Sequence, residues 1–198
     1  MKTQLRNRWT DDMVRFANQG LAKGKVDCTP FGRIDETDRY DFRGLSLTAF
    51  VKSRTFVSVD FSCTTLSSAG QFMFCTFEDC VFDEMVADSN LGSSFSSCSF
   101  AKASLREADL CGSFTSCDFG GANLSKCAAI EVKFQGCSFA STNFRRSELV
   151  RCGFEDCTFA GALFHKSTLT KSSFVRTDIE SLELKDCLTE GVEILKDP

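Results

Sequence analysis

Phe114-Thr115-Ser116-Cys117-Asp118-Phe119, Phe134-Gln135-Gly136-Cys137-Ser138-Phe139 and Phe154-Glu155-Asp156-Cys157-Thr158-Phe159 recur at a fixed interval of four pentapeptides. Inside each segment the two Phe are five residues apart, with Cys two before the second. Working outward, every fifth residue from Phe114 to Leu184 is Phe or Leu except Ala129 and Ile179. Two residues before each stands a small residue, among them Cys117, Ala122, Cys127, Cys137, Thr142, Ser147, Cys152 and Cys157; only Leu182 breaks that column. A five-residue period fits neither a helix nor a strand. Four fives make one longer period, so these segments are expected to stack directly as turns of a solenoid. Each turn alone leaves its Phe residues uncovered, and stacking gives them a shared core.

The pattern continues upstream in shifted registers. Phe95, Phe100, Leu105 and Leu110 precede a four-residue step to Phe114. Phe72, Phe77 and Phe82 precede a rougher passage through Ala87 and Leu91, and Phe56, Phe61 and Leu66 precede a six-residue step to Phe72. Phe42, Leu47 and Val51 open the series. Cys117-Asp118-Phe119-Gly120-Gly121, Ala122-Asn123-Leu124-Ser125-Lys126 and Ala108-Asp109-Leu110 resemble the repeat of the pentapeptide-repeat family, roughly Ala-(Asp/Asn)-Leu-x-x. The resemblance covers about residues 42–187. It implies the family fold, a right-handed quadrilateral β-helix with four pentapeptides per coil, in which the central Phe or Leu and the small residue two before it point inward. At about 4.8 Å per coil, 7 to 8 coils make a rod on the order of 35 Å long.

This arrangement explains an unusual composition. The chain has 198 residues, with 21 Phe against one Trp and one Tyr, and 12 Cys against one His. All but Phe16, Phe31, Phe50 and Phe74 fall at central positions. Phe carries no polar atom, whereas Trp and Tyr bring an N–H or O–H that a narrow interior must satisfy. The spacing CxxC does not occur, so neither a zinc site nor a redox pair is expected. Cys98, Cys117, Cys137 and Cys157 read as a ladder of packed free thiols along one face, compact apolar filler. Cys63 and Cys111 fall outside the inward column and read as accessible. Ala129 leaves room for a neighbour or an irregularity.

Residues 1–40 do not repeat and read as a cap over an exposed solenoid end. Thr10 reads as the N-cap of a short helix carrying Met13, Phe16, Ala17 and Leu21, with Asp11 and Asp12 at the positive end of its dipole and Gly24 as its stop. A strand is expected around residues 25–28. Residues 41–187 read as the β-helix and 188–198 as a C-terminal cap or tail, whose apolar residues suggest a homodimer through a β-helix end. The opening segment lacks the apolar stretch of an export signal, and no run approaches 18 apolar residues, so a cytoplasmic protein without a membrane segment is expected.

The outward positions carry the charge. The net charge is −4, yet residues 41–97 hold three basic and seven acidic residues, whereas 98–187 hold eleven of each. Asp60, Glu78, Asp79, Asp83, Glu84 and Asp88 form a candidate acidic interaction surface. Lys126, Arg146 and Lys166 fall four pentapeptides apart and should stack in a column, with Arg151 and Lys171 in a second, and together they form a candidate basic strip. Glu155, Asp156, Asp178 and Glu180 are placed on the other faces. No glycine-rich phosphate loop or nucleophile motif occurs, and His165 reads as an isolated exposed side chain. An enzyme is therefore not expected, nor are a cofactor, a metal or direct nucleic-acid binding. The expected function is a rigid protein-binding scaffold. The resemblance implies an alternative, since some family members mimic DNA, bind DNA gyrase or topoisomerase IV, and protect them from quinolones or toxins. The modest net charge and the basic columns depart from those members.

Overall fold

The computed structural model describes residues 1–67, 70–179, 182–184 and 186–196. The chain is a right-handed parallel β-solenoid of about eight square coils behind two short helices. All pairing between coils is parallel and runs column on column, as in Phe114↔Phe134, Phe134↔Phe154 and Phe154↔Phe174. The ladder reaches Glu193–Leu195, which pairs with Ser173–Val175. Each face is named here by its central residue in one coil: the Phe114, Phe119, Leu124 and Ala129 faces, in chain order.

The interior is aromatic along almost the whole of two adjacent faces; the other two are mainly aliphatic, with Phe144 stacked on Phe164 at 4.7 Å on the Leu124 face and Phe72 on the Ala129 face. On the Phe119 face, Phe61, Phe82, Phe100, Phe119, Phe139 and Phe159 lie nearly parallel, with centroids 4.9–5.2 Å apart. On the Phe114 face, Phe56, Phe77, Phe95, Phe114, Phe134, Phe154 and Phe174 repeat this at 4.9–5.2 Å. Rings on adjacent faces meet edge to face, as Phe114 and Phe119 do at 5.4 Å and 66°. Each Phe thus combines offset stacking along the rod with edge contacts across it, both favoured by the ring quadrupole.

The small inward residue is more than filler. Cys80, Cys98, Cys117, Cys137 and Cys157 form one ladder, and each Sγ donates to the carbonyl of the Phe one face back in the preceding coil. Examples are Cys137 to Phe114 at 3.3 Å and Cys157 to Phe134 at 3.5 Å. Thr142 to Phe119, Ser172 to Leu149 and Thr177 to Phe154 make the same bond with a hydroxyl. The slot therefore accepts small side chains, and several of its Cys, Ser and Thr use it to donate to the preceding coil, whereas the buried Thr64, Ser89 and Ser147 hydroxyls make no such bond. All twelve cysteines are free thiols. Burial pushes Cys127 up to about 12 and Cys152 up to about 11. Ala129 is fully buried, and the next inward slot holds Val132, larger than the Gly112 and Cys152 above and below it.

Coil length is not constant. Along the Phe114 face, the step from Phe56 to Phe77 is one residue longer than four pentapeptides. The step from Phe77 to Phe95 is two shorter, that from Phe95 to Phe114 one shorter, and that from Phe114 to Phe134 regular. The corner between the Ala129 and Phe114 faces absorbs much of this change. There Gln71–Glu78, Asn90–Ser96 and Asp109–Thr115 each run as one strand across the bend, with a bulge between Met73 and Thr76.

Helix α1 spans Lys2–Asn7 and α2 spans Asp11–Ala22. Thr10 caps α2 by accepting from the Met13 amide, and Gly24 follows its end at φ +76°. Asn18 docks α2, donating to the Val14 and Ser46 carbonyls and accepting from the Thr48 and Ala49 amides. Trp9 continues the Phe119-face stack beyond Phe42, at 6.4 Å and 20°, and its indole N–H donates to the Arg43 carbonyl. Asp41 accepts from Arg8 and Arg43, tying the cap to the first coil. Two expectations, at residues 25–28 and at Cys63, are corrected. Residues 25–28 form turns instead of a strand, because α2 turns back there and Cys28 packs against Gly20. Phe16 lies 62 % exposed, since α2 buries the face bearing Ala17, Asn18 and Leu21. Cys63 is buried, because α1 lies beside it and Arg6 donates to its carbonyl.

Candidate protein-binding surface

Stacking converts the three outward positions of each pentapeptide into columns. The residue before the central one sits mid-face, and the two after it form the corner. The second corner residue takes a left-handed backbone: Lys126 and Arg146 at φ +59°, Arg151 at +53°, Lys166 at +58° and Lys171 at +57°. Such φ values are unfavourable for residues other than Gly, Asn and Asp. Here the bonds between coils over-determine them, as in Lys126 N–H to the Arg145 carbonyl and Arg146 N–H to the His165 carbonyl. Corner side chains are thereby fixed in direction.

The acidic candidates encircle the rod more than they line it. Glu78 and Asp79 lie at the corner after the Phe114 face, Asp83 and Glu84 at the corner after the Phe119 face, and Asp88 at the corner after the Leu124 face. Asp60 lies mid-face on the Phe119 face, half-buried, and burial raises its pKa. Several are engaged within the chain. Arg39 pairs with Asp79 and Lys2 with Glu84 at 3.0 Å, while Asp83 accepts from the Ala101 amide.

The basic candidates do line up. Lys126, Arg146 and Lys166 stack at the corner entering the Ala129 face, and Arg151 and Lys171 at the corner leaving it. The two columns bound one face. Lys126 pairs with Glu107 at 3.0 Å and Arg151 with Glu131 at 2.8 Å. Among the described residues, no carboxylate lies within 4.0 Å of Arg146, Lys166 or Lys171. Glu155 and Asp156 pair with Arg176, Asp178 is exposed mid-face on the Phe119 face, and Glu180 lies outside the described residues.

An outward apolar strip absent from the sequence reading runs between the columns at Ile130 and Val150 and continues into the earlier coils. Gly92 pairs with Met73 and Cys111, and Ile130 with Val150, all at the first corner position of the Ala129 face. Cys111 is exposed, and Ile130 is 51 % and Phe74 67 % exposed. The straightened corner opens a shallow cavity of about 510 Å³ lined by Met73, Phe74, Gly92, Ser94 and Cys111. An apolar residue immediately after a central Phe, Leu or Ala was the available signal. It is hard to weigh because apolar residues are frequent throughout the repeat. Among the described residues, no three His, Cys, Asp or Glu side chains are grouped to hold a metal, and no helix is long and apolar enough to cross a membrane. His165 is exposed, with Asp186 3.7 Å from its Nδ1.

Residues 111–184 match the family model described as a pentapeptide repeat region. No curated protein sequence matches the chain. Among solved structures, it is similar to full-length QnrB1, described as a plasmid-mediated fluoroquinolone resistance protein. Identity is 19% and TM-score 0.45, over 77% of this chain and 87% of that one. It is also similar to HetL, described as involved in heterocyst differentiation regulation in the cyanobacterium Nostoc, at 15% identity and TM-score 0.27, over 82% and 90% of the two chains. A third is a pentapeptide repeat protein of the Arabidopsis thaliana thylakoid lumen, at 23% identity and TM-score 0.25, over 62% and 66%.

Proposed function

We infer that this pentapeptide-repeat protein is a non-enzymatic scaffold whose rigid rod presents fixed columns of side chains to a protein partner. One observation carries the reading: coil stacking fixes the corner side chains in ordered columns around a buried, Phe-rich core. Preorganised surfaces lose little conformational freedom on binding, which favours association. The alternative, mimicry of DNA toward gyrase or topoisomerase IV, draws on the acidic coil from Glu78 to Asp88. Those carboxylates circle the rod, and Asp79 and Glu84 are already paired with Arg39 and Lys2, so the scaffold reading is the stronger.

The test is photo-crosslinking in the cells that make the protein. A benzoylphenylalanine is placed in turn at Lys133, Thr158, Leu163 and Glu148, one exposed mid-face position on each of the four faces. A discrete protein adduct from at least one face is expected. Absence of any adduct from all four would sink the scaffold reading.

A further inference from the structure

We propose that the Ala129 face, between its two basic columns, is the docking surface for an acidic polypeptide segment that also carries apolar side chains. The proposal rests on the scaffold reading and names the partner's chemistry. Charge is the first argument. Lys126, Arg146 and Lys166 run along one corner and Arg151 and Lys171 along the other. The carboxylates of this face within those coils are Glu131, held by Arg151, and the exposed Glu148. Positive charge is therefore in excess, and Arg146, Lys166 and Lys171 have no carboxylate within 4.0 Å among the described residues.

Stacked like charges disfavour the folded rod. At about 4.8 Å, two cations repel by roughly 1 kcal/mol in water, less in salt. A row of carboxylates lying along the face turns this repulsion into attraction, steering encounter and fixing register.

The second argument is the apolar strip. Ile130 and Val150 lie directly over one another between the columns, and Cys111, Met73 and Phe74 extend the strip toward the straightened corner. A polypeptide alternating acidic and apolar residues would set carboxylates against the basic columns and bury apolar side chains on the strip. A nucleic-acid strand matches less well. Such strands are held by a cationic groove with aromatic platforms under the bases, and the segment between these columns offers aliphatic side chains instead.

The experiment uses the full chain and fluorescence anisotropy with three labelled probes: a short peptide alternating Glu and Leu, poly-glutamate of equal length, and oligothymidylate. The Glu-Leu peptide is expected to bind tightest, and to weaken as salt rises. The double variant Arg146→Glu/Lys166→Glu and the single variant Ile130→Asp should each weaken it about tenfold, whereas Glu78→Lys, on another corner, should leave it unchanged. Lys166→Ala, a milder change, should weaken it severalfold and guards against misfolding of the double variant. No binding of the Glu-Leu peptide, equal binding by these variants, or binding of either control probe as tight as that of the peptide would overturn the proposal. Crosslinks from the other three faces alongside such a result would leave the scaffold reading standing and remove only this inference.

Discussion

Phe100 lies over Phe119 with ring centroids 4.9 Å apart and planes 4° from parallel, and Phe139 continues the stack at 5.1 Å. The three residues come from successive coils, so one ring is the floor of one level and the roof of the next. The core of this protein is a set of such columns.

Phe119→Ala removes the middle of a stack and the edge contact with Phe114. The expected loss is about 3–5 kcal/mol, the usual cost of emptying a buried aromatic site. The interior is held open by backbone pairing on four sides and cannot collapse to fill the gap. Urea unfolding followed by circular dichroism measures it, and a loss below about 1 kcal/mol would contradict column packing as the source of stability.

The inward slot tests whether cysteine matters as a thiol or as a donor. Cys137 donates to the Phe114 carbonyl, the bond Thr177 makes to Phe154 with a hydroxyl. Cys137→Ser should therefore stay within about 1 kcal/mol of the parent, while Cys137→Ala, which leaves an acceptor unmet and a small void, should cost about 1–3 kcal/mol. A reversed order of the two variants would show that the donor is unimportant.

The same burial predicts thiol chemistry. With Cys127 at about 12 and Cys152 at about 11, both stay protonated at neutral pH and react slowly. A disulfide reagent should label exposed Cys111 rapidly in the native protein and the buried cysteines only on unfolding. Mass spectrometry of the labelled protein reads this directly.

Acid should loosen the N-terminal cap through Asp41. Burial raises the pKa of this carboxyl, but bonds from Arg8 and Arg43 outweigh burial and hold it well below the usual range. A depressed folded pKa means stabilisation that is complete above the unfolded value of about 4 and lost progressively as pH falls below it. Asp60 has the opposite sign, because burial raises its pKa and its charge opposes folding at neutral pH. Asp41→Asn should cost about 3 kcal/mol and speed hydrogen exchange in both helices. Asp60→Asn should leave both measurements unchanged or slightly improved, and a matching loss for the two variants would refute this account.

A rod with this charge pattern should not act as a DNA decoy. In a gyrase supercoiling assay with and without a quinolone, we expect neither inhibition nor protection at micromolar protein. Either effect would restore the DNA-mimic reading and direct attention to Glu78, Asp83 and Asp88.

The N-terminal segment shows where the sequence is hard to read. Thr10, Asp11 and Asp12 announce α2 by capping chemistry that acts within a few residues. Helix α1 has no such signal. It is held by contacts distant in sequence, such as Arg6 to the Cys63 carbonyl, and by its close approach to Gly44, where a Cβ would meet the Leu5 backbone at 2.6 Å. Those same contacts bury Cys63, which the repeat pattern placed outside the core. The apolar strip was missed for a related reason. Cys111 and Ile130 stand almost a full coil apart along the chain, and only the coil lengths reveal that they are neighbours.

By itself, the sequence determined the inward half of this protein. A narrow interior accepts large apolar residues at one position and small ones two before it, so a period of five exposes the solenoid, its faces and the role of Phe. The tertiary structure decided much of the outward half. Outward residues face few steric demands, and their neighbours depend on coils that run short of four pentapeptides in some turns and beyond them in others. A gain or loss of one residue at a corner leaves the columns aligned in space but changes the sequence interval between stacked residues. From Phe114 on, where coils are regular, the spacing alone also places Lys126, Arg146 and Lys166 in one column and Arg151 and Lys171 in another; only stacking in space set Cys111 beside Ile130 and circled the acidic residues around another level of the rod.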